Sequence, residues 1–310
     1  MDSNTKKIAD EIIKTVSDLD GLPKGAFNIR VNGGCAAKHS TDTVRIEPKT
    51  DKSGIDIYIK ENTKDEVVYI PACITKSNVD DLVYNDFHIG KNAKVRIVAG
   101  CGVHVDGDEK SKHAGVHRFF VGEGAHVTYL ERHIGIGNGK GEAIIDPKTY
   151  CEIEKNGYLE MITSQIGGVD HSVRDTDGKL YEGATLIIKE NLMTEGDQYT
   201  ETNFNMDVEG KDAGITLISR SVAKDNSYQK YKSTINGNNK CTGHSACDAI
   251  IVGNAKVDAT PELIANHPDA MLIHEAAIGK IAGEQIIKLQ TLGLTEEEAE
   301  QRIINGFLKV

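Results

Sequence analysis

Cys247 opens an apolar run, Gly243-His-Ser-Ala-Cys247-Asp-Ala-Ile-Ile-Val-Gly253. A thiol at the head of such a strand is commonly a small buried hydrophobe. Here His244 and Asp248 flank it and give the strand end a polar, reachable character, so binding of metal or sulfur stands open beside packing. His274-Glu275 follows Met271-Leu272-Ile273. Such a pair is often surface chemistry of no consequence. Imidazole and carboxylate are nevertheless both competent iron ligands, and a thiolate nearby would complete a mixed sulfur, nitrogen and oxygen set. Adjacent strand residues face opposite ways, so both could serve one site only if the backbone turns there.

A second cluster runs through Cys101, His104, His113, His117, His126 and His133. His113 and His117 on one strand would have backbones ~13 Å apart and could not share an ion. Cys101 and His104 could bind metal together if a loop folds them together. The competing expectation is a set of solvent-facing histidines on strands. Gly135-Ile-Gly-Asn-Gly-Lys140-Gly141 imitates a phosphate loop and fails as one. Ile134 stands where the first glycine belongs, Gly141 replaces the Ser/Thr, and no apolar helix follows. No nucleotide is expected on this chain.

Residues 4–19 place Ile8, Ile12, Ile13, Val16 and Leu19 near helical spacing, and Gly21 and Pro23 end that pattern. From about residue 26 to 273 the chain reads as short Val/Ile-rich runs behind glycine-containing corners, such as Gly90-Lys-Asn-Ala93 and Gly122-Glu-Gly-Ala125. Strands without intervening helices leave a sandwich, a barrel or a parallel β-helix. The recurrence of corner then strand favours the β-helix, although the spacing is too loose for a strict repeat. Residues 275–310 read as helical again, with a stop at Gly293 and a capping box in Thr295-Glu-Glu-Glu298. The expected division is therefore residues 1–24 helical, 25–273 β-helix core and 274–310 helical.

The 310 residues carry a net charge of −11 and no basic stripe, which argues against nucleic-acid binding. No apolar run approaches the length of a membrane span, and the start of the chain lacks the order of a signal peptide, so a cytoplasmic protein is expected. Six cysteines without a C-x-x-C pair would then be thiols rather than a redox motif or zinc ribbon.

The last quarter of the chain resembles the characteristic core of the SufB/SufD family of iron–sulfur cluster assembly proteins. The resemblance is carried by Cys247-Asp-Ala-Ile-Ile-Val-Gly253, then Met271-Leu-Ile-His274-Glu275-Ala-Ala-Ile-Gly279-Lys280 and Gly283-Glu-Gln285. It continues through Leu292-Gly-Leu-Thr-Glu-Glu-Glu-Ala299 and Ile304-Asn-Gly-Phe307. It implies a mainly β protein, a right-handed parallel β-helix flanked by N- and C-terminal helices. It also implies pairing through that β-helix and a SufC-type ABC ATPase held by the C-terminal helical segment. Nascent clusters of iron and sulfide would be built with Cys247 as principal ligand and His274 and Glu275 as auxiliaries, then passed to apo iron–sulfur proteins. The chain would be a scaffold rather than an enzyme, and its compact form points to a homodimer.

The sequence departs from the family pattern in two places. Ile273 stands where an acid is usual before the histidine, and residues 170–180 hold no thiol for sulfur entry. Free sulfide is then the expected donor, and saturable sulfur transfer from a desulfurase would count against it. Two rivals remain at this level: a structural SufD-like subunit carrying no cluster, and a metal-dependent enzyme using the Cys101–His133 stretch.

Overall fold

Inward and outward residues alternate along strand after strand, and the inward set forms one long apolar interior. The computed structural model describes residues 3–137 and 139–308. Its first sheet runs in the order β2 (Gly34–His39), β1 (Ala26–Val31), β5 (Glu66–Ile74), β7 (Lys94–His104) and β9 (His126–Ile136). It continues with β12 (Tyr158–Ile166), β14 (Thr185–Thr194), β16 (Gly214–Ala223), β18 (Thr242–Ile251) and β20 (Met271–Gly279).

The second sheet begins β3 (Val44–Pro48), β4 (Gly54–Ile59), β6 (Asp80–Ile89) and β8 (Ser111–Val121). The short strands β10 (Ala143–Ile145) and β11 (Lys148–Ile153) share the next position. Then come β13 (His171–Leu180), β15 (Tyr199–Val208), β17 (Tyr228–Gly237) and β19 (Lys256–Ala265). The chain alternates between the two sheets, and its neighbours within each sheet are parallel except β1–β2 and β3–β4. This is a β-helix of about eight turns with helices at its ends. Tyr199 pairs with His171 and Tyr228 with Tyr199, so a coil closes about every 28 residues.

Helix α1 (Ser3–Ser17) lays Ala9, Ile12, Ile13 and Val16 on the outer face of the first sheet. Gly102 permits that approach, because a Cβ there would lie 2.4 Å from the Ile12 side chain. At the other end α2 (Gly283–Gln290) and α3 (Glu296–Leu308) form a pair. The capping box closes as written: Thr295 N–H donates to Glu298 Oε2 at 2.8 Å, and Glu298 N–H to Thr295 Oγ1 at 3.2 Å. Ile304 and Leu308 seat α3 on Val222, with Ile166, Met193 and Ile250 alongside. These four sheet residues form one apolar column across four neighbouring strands. Helix α2 buries no residue. No helix among the described residues is long and apolar enough to cross a membrane.

The C-terminal boundary differs from the sequence expectation. Residues 274–279 are strand, not helix, and helix resumes only at Gly283. Pairing of β20 along β18 overrides the helical preference of Ala276 and Ala277.

Candidate functional site

Cys247 lies on β18 with its side chain inside the β-helix, 1% exposed, flanked in register by Ser219 and Ala276. Burial, with the charges of Glu190 and Asp248, pushes its thiol up to about 12. The inward column that contains it continues across the first sheet as Ser219, Glu190, Thr163 and Glu131. Glu190 accepts hydrogen bonds from Ser219 (2.9 Å) and Thr202 (3.0 Å). Arg174 reaches across from the second sheet and donates to Glu131 at 2.7 Å. Burial alone would raise the Glu131 carboxyl, but His133 and Arg174 hold it well below the usual range.

His274 faces the same interior, opposite Ser245, which is hydrogen-bonded to Tyr231 (3.0 Å) and Ser233 (2.9 Å). Its Nδ1 is covered and has no hydrogen-bond partner among the described residues. His274 and Cys247 sit two register positions apart on adjacent strands, ~8 Å between Cα atoms for standard strand spacing and rise. Side chains of their length can close on one ion across that gap.

Glu275 is not with them. It lies on the outer face, 71% exposed, with its Oε2 3.7 Å from Nε2 of His244. The turn that would have placed both His274 and Glu275 at one point does not occur, because β20 keeps regular register with β18 through this stretch. Within one chain the expected three-residue set is thus divided between the two faces of the sheet.

The second cluster also departs from expectation. Cys101 and His104 lie on one strand, three residues apart, and therefore on opposite faces. Cys101 packs inward beside His133, whereas His104 Nε2 approaches Asp106 at 2.6 Å. His113, His117 and His133 are buried rather than solvent-facing. His113 Nδ1 is 3.1 Å from Asp81, which Arg30 also grips, and His117 Nδ1 is 2.7 Å from the Tyr129 hydroxyl. Both Nε2 atoms converge over Gly115, within 3.6 Å of where a Cβ would stand. A cavity of about 30 Å³ borders these rings, Cys101 and Glu131. The thiol of Cys101 is raised well above its ordinary value by burial and by Glu131.

Among the described residues one further donor group gathers on the outside: Asp56, Asp86 and His88. Lys49 Nζ already sits between the two carboxylates at 2.5 and 2.7 Å, so a tethered ammonium takes the place an ion would. The glycine-rich loop is a packing device. Gly139 N–H donates to Val105 O and Gly141 N–H to Gly107 O, and a Cβ at Gly135 would fall 1.5 Å from Gly168 O. Those amides face neighbouring backbone rather than a phosphate. Asn138 of this loop lies outside the described residues.

Residues 76–307 match the family model described as SUF system FeS cluster assembly, SufBD core domain. The chain belongs to the SufBD family. Among its relatives, a Methanothermobacter thermautotrophicus iron–sulfur cluster assembly SufBD family protein is 27% identical, over 88% of this chain and 66% of that protein. The Pyrococcus horikoshii family protein PH0883 is 28% identical, over 87% of this chain and 82% of its own length. A Staphylococcus epidermidis family protein is 25% identical, over 83% and 55% respectively. The chain thus spans less than two thirds of the length of some of these relatives. Sequence reading overlooked the charged interior of this SufBD member, Glu131, Arg174 and Glu190. Counting by twos from inward Val127 and Tyr129 leads to Glu131 and His133, so part of that signal was present.

Proposed function

We propose that the chain is a scaffold subunit on which nascent iron–sulfur clusters are assembled, working as a homodimer closed across the C-terminal end of the β-helix. Iron and sulfide are its cargo, ATP hydrolysis belongs to a SufC-type partner, and apo iron–sulfur proteins receive the product. The observation that carries the reading is the inward juxtaposition of Cys247 and His274 beside the uncovered edge strand β20. A soft thiolate would hold iron or sulfide, and the imidazole is a ligand weak enough to release a cluster.

Two surfaces support the partners. Among the described residues strands β19 and β20 end their sheets with one backbone edge unpaired, and Met271 (65% exposed) and Ile273 (54%) lie on the outer face of the edge strand β20. An exposed edge of this kind is a template for pairing with a second chain. Exposed Ile287 and Leu292 on and after α2 offer the SufC-type partner an apolar contact that α2 does not use within this chain.

The test is anaerobic reconstitution with iron and sulfide in the presence of the ATPase partner, comparing wild type with Cys247→Ser by visible absorption. A sulfide-to-iron charge-transfer band that the variant loses supports both the scaffold and its main ligand. A band that survives moves the site to Cys101 and its buried histidines. Absence of a band in wild type favours the structural SufD-like subunit, a reading supported by the burial of Cys247, which is 1% exposed.

A further inference from the structure

We propose that His244 is an iron ligand acting with Glu275, so that ferrous iron is received on the outer face of the edge, at a site separate from the inward thiol of Cys247. The proposal deepens the scaffold reading and rests on it for its biological purpose. Strand alternation is the first observation: Glu275 and His244 share the outer face, while Cys247 and His274 share the inner one. An iron ligand role for Glu275 therefore needs companions on its own side of β20.

His244 is that companion. Its Nε2 is covered and, among the described residues, has no hydrogen-bond partner. Its register neighbour on β20 is Ile273, which has no polar group to offer. A shielded imidazole nitrogen left unpaired is unfavourable unless something else engages it. Thr216 flanks it on the other side, and the carboxylate that approaches it is Glu275, with Oε2 3.7 Å away. Two metal bonds of ~2.1 Å span ~3.0 to 3.5 Å at angles between a right angle and the tetrahedral value. Closing the pair on an ion takes a shift of a few tenths of an ångström in an exposed, flexible carboxylate.

The chemistry of the pair fits reception rather than storage. Imidazole and carboxylate bind Fe(II) without a thiolate's tight hold, and two protein ligands leave the remaining positions to water or to the second copy of a dimer closed across this edge. The carboxylate is open to solvent, and the chain's charge of −11 attracts a hydrated cation. Iron received there lies one strand's thickness from the inner ligands.

The experiment uses the full, untagged chain under anaerobic conditions, with Fe(II) alone and then Co(II) as spectroscopic probe. His244→Ala and the near-isosteric Glu275→Gln are each expected to weaken binding of the first Fe(II) at least tenfold. Cys35→Ser, at an exposed cysteine outside both sites, is expected to leave it within twofold of wild type. The first Co(II) is expected to give no thiolate-to-cobalt charge-transfer band. Unchanged affinity in both outer-face variants overturns the proposal, as does loss of the first ion in Cys247→Ser. The two readings separate cleanly. A wild-type cluster band formed at the normal rate by His244→Ala under limiting iron sinks this site and leaves the scaffold. Fe(II) bound at His244 in a chain that never forms the band sinks the scaffold and leaves the site.

Discussion

Alkylation of Cys247 tests the closed state of the site. At pH 8 a thiol at about 12 is ~1 part in 10⁴ thiolate, whereas an unperturbed thiol at ~8.5 is about one quarter thiolate, a ~2,000-fold difference. The more basic sulfur is also the stronger nucleophile. A Brønsted coefficient of ~0.45 across those ~3.5 units returns ~40-fold. The net expectation is ~50-fold slower reaction than a free thiol, before the steric shielding of a residue that is 1% exposed. Cys35 is the exposed cysteine of the chain and provides the internal reference.

The assay is timed iodoacetamide labelling with each cysteine followed by mass spectrometry. In the chain alone Cys247 should lag a small free thiol by at least ~50-fold, while labelling of exposed Cys35 shows that the reagent reaches the chain. A lag smaller than about fivefold refutes the argument from burial. The same shift sets the thermodynamics of loading. Deprotonating the thiol at pH 7.5 costs about 6 kcal/mol, or more than four powers of ten in iron affinity, while it remains sealed. If opening of this end is part of assembly, ATPase partner and nucleotide should raise the Cys247 rate toward that of the free thiol.

Three other expectations follow from single residues. His117 is lowered to about 4 by burial, against ~6.5 unfolded, so the unfolded chain binds the extra proton between those values and stability falls as pH drops through that window. The full effect is about 3 kcal/mol, and His117→Gln should flatten urea-unfolding stability between pH 7 and 4. Gly135→Ala should destabilise by on the order of 3–5 kcal/mol through the clash with Gly168 O, while Gly283→Ala, in open space, should stay within about 0.5 kcal/mol. Thermal melts of the two variants check this. Ile273→Asp, on the exposed edge, should shift sedimentation from dimer to monomer without lowering the unfolding midpoint of the monomer.

The β-helix was legible because its local rules are local: glycine corners and apolar runs survive in the sequence whatever the register. The period was not. Coils of about 27 and about 29 residues follow one another, as Tyr158 to Thr185 and Thr185 to Gly214 show, so no fixed repeat could be counted. The inward histidines were partly readable, since His117 and His113 share parity with buried Phe119. What the sequence could not display is which inward residues meet across coils. The column Glu131, Thr163, Glu190, Ser219, Cys247 exists only through register. The reading of residues 274–279 as helix failed for a related reason, since Ala276-Ala277-Ile278 suits a helix until β18 offers its edge.

Register also explains why Cys247 is better suited than Cys101 or Cys151 to exchange with the outside. Cys101 and Cys151 lie under complete coils on both sides, so reaching either would mean opening the solenoid mid-length. Cys247 is separated from the end by β20 alone, whose inward Leu272 and His274 are only partly buried. Only three residues, Lys280 to Ala282, join β20 to α2, and α2 has no buried residue tying it down. A partner gripping α2 would therefore pull on the strand that covers the thiol. Peeling one edge strand breaks one ladder of backbone bonds, a far smaller change than separating stacked coils. The thiol lies one strand in from a free edge, and that edge strand is joined through three residues to a graspable helix, which makes gated access mechanically simple.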